Sequence, residues 1–436
     1  MRVIVVPFQR GAGRLYTSTL RNKGMVMASI RKSSSIFMSL LSLIIGGSGI
    51  LAAAPADSAT RSMEPQVSLI TILPGKALYS SFGHTAIRVV DPKAGSDVLY
   101  NYGLSENPFD LTFAARMLVG RMDFTVGVLD TKSEFQFYSQ YENRTIIEQR
   151  LDLDEAQKTS MLSALEKNAL PENRIYNYRY FSDNCATRVW KILKPLDSDA
   201  PNTRSQAPRP TLRESIGRTL AARPWLGFAI DLMLGPAADA RVQSDAPVFL
   251  PKELMDWTAG IAKAGTNGEA KLVTSTKVLY EARSERRSAT GIAPLVAVIA
   301  LLAVALALGL FLRKDNPAAI CFDAMLFGAA AIVCLAIALF WLAAGYGEVG
   351  PNLNLLWAIP LPLFALLVDG KRAGERPSIV LFRIAAAAAA LVAITGGLGI
   401  QKVSPAIRLI ALAIATRCLA RGLDESKSPF PLPRAR

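Results

Sequence analysis

Five apolar segments crowd the last third of this chain, and a water-soluble fold has no place for them. Gly291–Leu312 carries no charge and is long enough to cross a bilayer, and Ala324–Tyr346 is a second clear span. Leu353–Val368 is shorter and holds Pro360 and Pro362, so it is expected to kink, which neighbouring helices tolerate. Ile379–Ile400 has Arg383 near one end, where it can snorkel, and Val403–Leu419 has Arg408 inside it. The C-terminal part of the chain therefore reads as an all-α transmembrane domain of about five helices.

Charge fits that reading. The net charge of +14 has no basic stretch interleaved with aromatics in a nucleic-acid-binding pattern, so nucleic acid is not an expected partner. Positive-inside loops and anionic lipid account for it better. Arg313-Lys314 and Lys371-Arg372-Arg376 fall on one side of the bilayer, while Gly345–Asn352, with no Lys or Arg, falls on the other. Arg283, Arg286 and Arg287 sit on the outer side, just before a span, where anionic headgroups can meet them. Near the other end, Arg31-Lys32-Ser33, the apolar Ile36–Leu51 and Ala54-Pro55-Ala56 form a secretory signal. Cleavage is expected after Ala56, with an uncleaved anchor as the alternative and Met25 or Met27 as alternative starts. The resulting domains are 1–56, an extension and signal; 57–288, exported; 289–422, transmembrane; and 423–436, a cytoplasmic tail.

The exported domain reads as α+β. Thr85–Val90 and Val98–Tyr102 look like strands around the turn-rich Asp91–Asp97. Thr131 with Glu134 forms a capping box that opens a helix through Tyr141. Thr145–Leu153 alternates as a strand, and Asp154 caps a helix running to about Lys167. Tyr176, Tyr178 and Tyr180 place three rings on one strand face, where core packing explains them better than a ligand platform. Thr211 with Glu214 opens another helix, and Pro224 starts one through Leu234 that Gly235-Pro236 stops. Ser198–Pro210 is a loop. The chain has no internal repeat and no Gly-rich phosphate loop.

Chemistry in this domain has a small cast. The chain has one histidine, His84, and of its four cysteines only Cys185 lies outside the apolar third. One imidazole and one thiol cannot build a usual zinc site, so no metal or other cofactor is expected. An exported thiol without a disulfide partner is an oxidation liability, which favours a chemical role. In Phe181-Ser182-Asp183-Asn184-Cys185-Ala186, Asp183 or Asn184 can cap a helix whose first turn carries Cys185. There the macrodipole and the free N–H groups around Asn184 and Ala186 would favour a thiolate and hold an oxyanion. His84 is the only histidine able to serve as base. Taken singly, a buried cysteine is commonly a small hydrophobe and a lone histidine a hydrogen-bonded surface residue; Asp183 reads as a cap rather than a base.

Ser80-Ser81-Phe82-Gly83-His84-Thr85-Ala86, Tyr100-Asn101-Tyr102-Gly103 and Asp183-Asn184-Cys185-Ala186-Thr187-Arg188 resemble the DUF4105 family, the periplasmic domain of Lnb-type lipoprotein N-acyltransferases. Pro224-Trp225-Leu226, Phe249-Leu250-Pro251 and Asn352-Leu353-Asn354-Leu355-Leu356-Trp357 look like further landmarks. The resemblance implies a papain-like, NlpC/P60-related fold in permuted order, histidine before cysteine, as in lipid acyltransferases of the LRAT type. It implies Cys185 as nucleophile, His84 as general base and a third residue on the adjacent strand to orient the imidazole, which Asn101 fits by position. Asn352 and Asn354 become a candidate membrane-interface motif. A histidine that often precedes this Asn-x-Asn stretch in the family is missing from Gly345-Tyr346-Gly347-Glu348-Val349-Gly350-Pro351, a departure that bears on acceptor or lipid handling.

Segments, charge and resemblance together imply a multi-pass protein of the bacterial inner membrane with its N-terminal domain in the periplasm. Its expected activity is transfer of an acyl chain from phospholipid, through a Cys185 thioester, to the N-terminal amine of a diacylated lipoprotein. The bilayer, a phospholipid donor and a lipoprotein acceptor are the expected partners. Two alternatives remain: a thiol hydrolase, phospholipase or peptidase, using the same pair, and a non-enzymatic membrane module in which the pair is vestigial.

Overall fold

The computed structural model describes residues 64–105, 110–198, 209–243, 246–263, 270–283, 292–369, 376–397 and 399–423. The signal segment and its cleavage point at Ala56, Met25 and Met27, Arg286 and Arg287, Lys371 and Arg372, most of the Ser198–Pro210 loop and the tail beyond Leu423 lie outside the described residues.

The first half is the expected α+β domain. β1 (Gln66–Ile72), β2 (His84–Asp91) and β3 (Ser96–Leu104) form an antiparallel meander, followed by α1 (Leu111–Leu118), β4 (Asp123–Asp130) and α2 (Thr131–Gln136). Then come β5 (Ile146–Leu151), α3 (Glu155–Ala169), β6 (Ile175–Asn177), α4 (Cys185–Ser198), α5 (Leu212–Thr219), α6 (Pro224–Met233), α7 (Pro251–Ala259) and β7 (Val273–Tyr280). The seven strands make one sheet in the order β6-β4-β3-β2-β1-β5-β7, with every pairing antiparallel. One sheet face (Leu69, Ile87, Tyr102, Val126) packs on α3, α4 and α7 through Leu165, Val189, Leu193 and Leu254. The other (Ile70, Ile72, Ala86, Leu99) packs on Tyr138, in the π-turn Phe137–Tyr141 that prolongs α2. α2 is capped by Asp130, whose carboxylate accepts from the Ser133 N–H at 2.9 Å, and not by Thr131 as the sequence pattern suggests. The other two caps are as expected: Asp154 and Thr211 each form a reciprocal box.

The second half is helical: α8 (Pro294–Phe311), α9 (Pro317–Ala338, prolonged by a π-turn over Leu339–Ala343), α10 (Asn354–Ala358), α11 (Leu361–Asp369), α12 (Arg376–Thr395) and α13 (Pro405–Gly422). Among the described residues, Pro294–Phe311, Pro317–Ala343 and Ser378–Thr395 are long and apolar enough to cross a membrane. The third expected segment is broken at Pro360 into α10 and α11. α9 begins at Pro317 rather than Ala324, so it takes Asp323 inside the bundle. That carboxylate is fully buried and accepts from Arg417 at 2.6 and 3.0 Å and from Arg421 at 2.5 Å. Arg408 donates to the carbonyls of Ala393 and Ile394 at 2.9 and 3.0 Å. α13 therefore accommodates Arg417 and Arg421 because Asp323 answers them inside the bundle, while Arg408 is exposed and bonds carbonyls near the end of α12.

Candidate active site

Cys185 opens α4, as its sequence context suggests. Asn184 is the cap: its Oδ1 accepts from the Thr187 N–H at 2.9 Å, and its own N–H donates to Thr187 Oγ1 at 2.8 Å. Its Nδ2 also donates to the carbonyls of Tyr180 and Phe249, both at 2.8 Å. An amide is needed here because the position must both accept and donate, which a carboxylate cannot do. Asp183 is accordingly not the cap. Its carboxylate takes a two-point contact from Arg188, at 2.9 and 2.7 Å, with Lys191 at 3.5 Å. Nor does the Asn184 N–H remain available to an oxyanion, since Thr187 occupies it.

The backbone N–H groups of Thr85 and Ala186, with that of Cys185 itself, favour the Cys185 thiolate. The contact with Thr85 brings the sulfur to the residue next to His84. Regular β2–β3 pairing ends at Ala86–Asn101, and the β3–β4 register shifts between Tyr102 and Leu104. Gly103 turns this corner with φ 87°, where a Cβ would lie 3.4 Å from the Tyr178 ring and 3.9 Å from the Cys185 Cβ. Cys185 is only 7% exposed, and that burial pushes its thiol up to about 11, outweighing the three N–H donors. The depressed thiol expected from a helix start is thus overridden by desolvation.

His84 enters β2 half-buried, with its ring 6.1 Å from that of Tyr138. Its Nε2 is 2.5 Å from Oδ1 of Asn101, the partner that strand adjacency suggests. Asn101 is fully buried, and its Nδ2 donates to Glu134 at 3.1 Å and to the Tyr138 hydroxyl at 3.4 Å. With the amide nitrogen turned to the carboxylate, its oxygen faces the imidazole and can only accept. Nε2 therefore carries the proton, and Nδ1 keeps its lone pair. Burial lowers His84 to about 4 and raises the Glu134 carboxyl above its ordinary range. Arg144, 3% exposed, donates to the Leu73 carbonyl at 2.9 Å and pairs with Glu142 at 2.6 Å, and its charge reaches both His84 and Cys185. Burial favours the uncharged form of both the imidazole and the thiol. Sequence reasoning misses Glu134, Tyr138, Arg144 and the Thr85 N–H as parts of the site; Glu134 shows there only as a capping residue.

Tyr176, Tyr178 and Tyr180 have neighbouring ring centroids 6.4 and 5.5 Å apart and pack in the core as expected, but β6 ends at Asn177, so only Tyr176 lies on a strand. The Tyr176 hydroxyl is buried with no hydrogen-bond partner. A cleft of about 540 Å³ between α3 and α4 is lined by Ser160, Arg188, Ile192 and their neighbours and does not include Cys185. Among the described residues, no three His, Cys, Asp or Glu side chains converge as metal ligands would.

Asn352 and Asn354 lie at the junction of the two halves. Both are buried, and both donate to α6: Asn352 to the Leu232 and Met233 carbonyls at 3.3 and 3.0 Å, Asn354 to that of Leu232 at 2.9 Å. Gln401, which the sequence does not single out, joins them by donating to the Leu234 carbonyl and to Asn352 Oδ1, both at 3.1 Å. Arg179, five residues before Asn184 in the chain, donates to the Ala344 carbonyl at 2.6 Å and covers the Tyr346 ring. The segment leading into Cys185 is thus fastened to the helical half.

A buried Cys185 and a His84–Asn101 pair on an α+β domain, joined to helices long and apolar enough to cross a membrane, define a membrane-bound protein whose extramembrane domain holds the candidate site. Residues 54–218 match the Lnb N-terminal periplasmic domain, and residues 285–428 match the Lnb transmembrane domain. The chain belongs to the Lnb family: it is a membrane protein with a periplasmic N-terminal domain. No curated protein and no solved structure matches it.

Proposed function

We propose that this protein is a thiol acyltransferase that moves an acyl chain from a glycerolipid ester, phospholipid being the abundant source, to the N-terminal amine of a lipoprotein. The observation that carries the proposal is the His84–Asn101–Glu134 hydrogen-bond chain in the domain whose Cys185 opens a helix. Such a chain fixes the imidazole with Nδ1 as acceptor, as a general base for a thiol requires. The α+β domain with histidine on a strand and cysteine at a helix start supports the papain-like reading. Loop charge supports a multi-pass arrangement with Gly345–Asn352 on the periplasmic side.

His84 Nδ1 takes the Cys185 proton as sulfur attacks the ester carbonyl, and the oxyanion meets N–H groups at the start of α4. The C–O bond breaks, and the lysolipid leaves with the proton from His84. A neutral α-amine then attacks the thioester, giving its proton to His84; the C–S bond breaks, the amide forms and the proton returns to sulfur. Water would compete at the thioester, so a buried sulfur suits transfer better than hydrolysis.

Incubating the purified full-length protein with phospholipid vesicles, without acceptor, tests the first half. A gain of one acyl mass on the Cys185 peptide, lost in Cys185→Ala and His84→Ala, is the expected result. An unmodified Cys185 peptide in every sample would overturn the thioester step.

A further inference from the structure

The loop between β1 and β2 ends at His84, and its tip exposes two large side chains, with the Tyr79 hydroxyl donating to Glu142 at 2.5 Å. Leu78 is 71% exposed and Tyr79 57%. Arg223, the residue before α6, holds this loop by donating to the Ala77 carbonyl at 3.3 Å, to Ser81 Oγ at 2.6 Å and to the Gly75 carbonyl. Two residues on, Trp225 is 50% exposed and its indole N–H donates to the Ile292 carbonyl at 2.9 Å. Ile292, 65% exposed, stands immediately before α8. Exposed large side chains therefore run, through named hydrogen bonds, from the residues before His84 to the entry of a membrane helix.

The level of that row is fixed by α8. Eighteen apolar residues at about 1.5 Å each give about 27 Å, close to the hydrocarbon thickness, so the Pro294 end of α8 lies at the bilayer boundary. The sheet agrees. Ile72 of β1, His84 of β2, Ile146 of β5 and Tyr280 of β7 pair at one end of the sheet, and Tyr280 is the last residue of β7, the strand that precedes α8 in the chain. An indole with its N–H bonded and its ring bare at a helix entry suits the headgroup boundary.

We propose that Leu78 and Tyr79, with Trp225 and Ile292, form a membrane-contact surface that rests in the outer-leaflet boundary and holds the His84 end of the site against lipid. The occupant is the phospholipid of the bilayer that the chain's own helices span. This deepens the lipid-substrate reading, yet its test requires no catalysis.

The test uses the full-length chain in phosphatidylethanolamine–phosphatidylglycerol vesicles, with a bimane label on Leu78→Cys or on Ala94→Cys. Cys185, Cys321, Cys334 and Cys418 are replaced by Ala. Ala94 is the control because it is exposed in the turn at the far end of β2. Quenching by doxyl-labelled phospholipid is expected to be several-fold stronger at 78 than at 94, and quenching by iodide correspondingly weaker. In the chain that keeps its native cysteines, an impermeant maleimide, read peptide by peptide, is expected to modify position 78 about tenfold more slowly than 94. Equal quenching or equal labelling at the two positions would overturn the proposal while leaving the acyltransferase reading untouched.

Discussion

Alkylation of Cys185 by iodoacetamide is expected to accelerate about tenfold per pH unit between pH 7 and about 9.5. The magnitude comes from burial. With the thiol at about 11, the thiolate fraction at pH 7 is about one in ten thousand. A free cysteine near 8.5 has about 300 times more thiolate at that pH. The higher basicity of the buried thiolate makes it more nucleophilic, which returns about tenfold. Cys185 should therefore react about 30-fold more slowly than free cysteine at pH 7 before access is considered. Restricted access scales the rate at every pH, so the slope is the decisive quantity. Peptide-resolved mass spectrometry tracks Cys185 apart from the other three cysteines. A rate that is flat from pH 5 to 8 would mean that a thiolate–imidazolium pair already exists at rest, refuting the dominance of desolvation at this site.

Asn101→Ala removes the acceptor of a half-buried imidazole N–H and the amide that Glu134 and Tyr138 share, a loss of about 1–3 kcal/mol of stability that should lower Tm by a few degrees. Transfer by the protein that stays folded should fall about tenfold or more in an acyl-transfer assay. Tyr176→Phe deletes a buried hydroxyl that has no partner, and thermal unfolding should show no loss of stability; a fall of several degrees would reveal a missed hydrogen bond. Asp323→Asn leaves two arginines facing a neutral amide inside the bundle and should cost about 3–5 kcal/mol, read as a clear drop in the detergent-solubilised melting temperature. Asn354→Ala strips a donor from the Leu232 carbonyl; limited proteolysis should then cut near α6 faster than in the native protein.

The parts of the fold that the sequence exposes are those whose pattern is local. Cap pairs such as Thr211 with Glu214, and the stop at Gly235-Pro236, depend on residues three or fewer apart. β1 escapes because six of its seven residues are buried, so it lacks the alternation that marks a half-exposed strand. The second and fifth apolar segments are hard to delimit for one shared reason. Asp323 and Arg417 each look like a flaw in an apolar helix when read alone, and each is explained only by the other, 94 residues away. In the site, His84 and Cys185 are legible because there is no second histidine or exported-domain cysteine to choose, whereas Asn101 comes only from the family resemblance and its place on the adjacent strand. Glu134 and the Thr85 N–H are not legible, because their roles come from contacts between residues far apart in the chain. Desolvation is equally hidden: a helix start is visible in sequence, whereas the burial that reverses its effect on the thiol is not.

Cys185, served by His84 and Asn101, is proposed to form an amide between an acyl chain and a lipoprotein amine. Tandem mass spectrometry tests this on N-terminal lipoprotein peptides from cells without other N-acyltransferases, expressing either this protein or its Cys185→Ala form. Mild alkali removes ester-linked chains before the measurement and leaves an amide in place. The account predicts an alkali-stable acyl group on the α-amine with the native protein and a free amine with Cys185→Ala. A free amine in both, or the same amide in both, would contradict it.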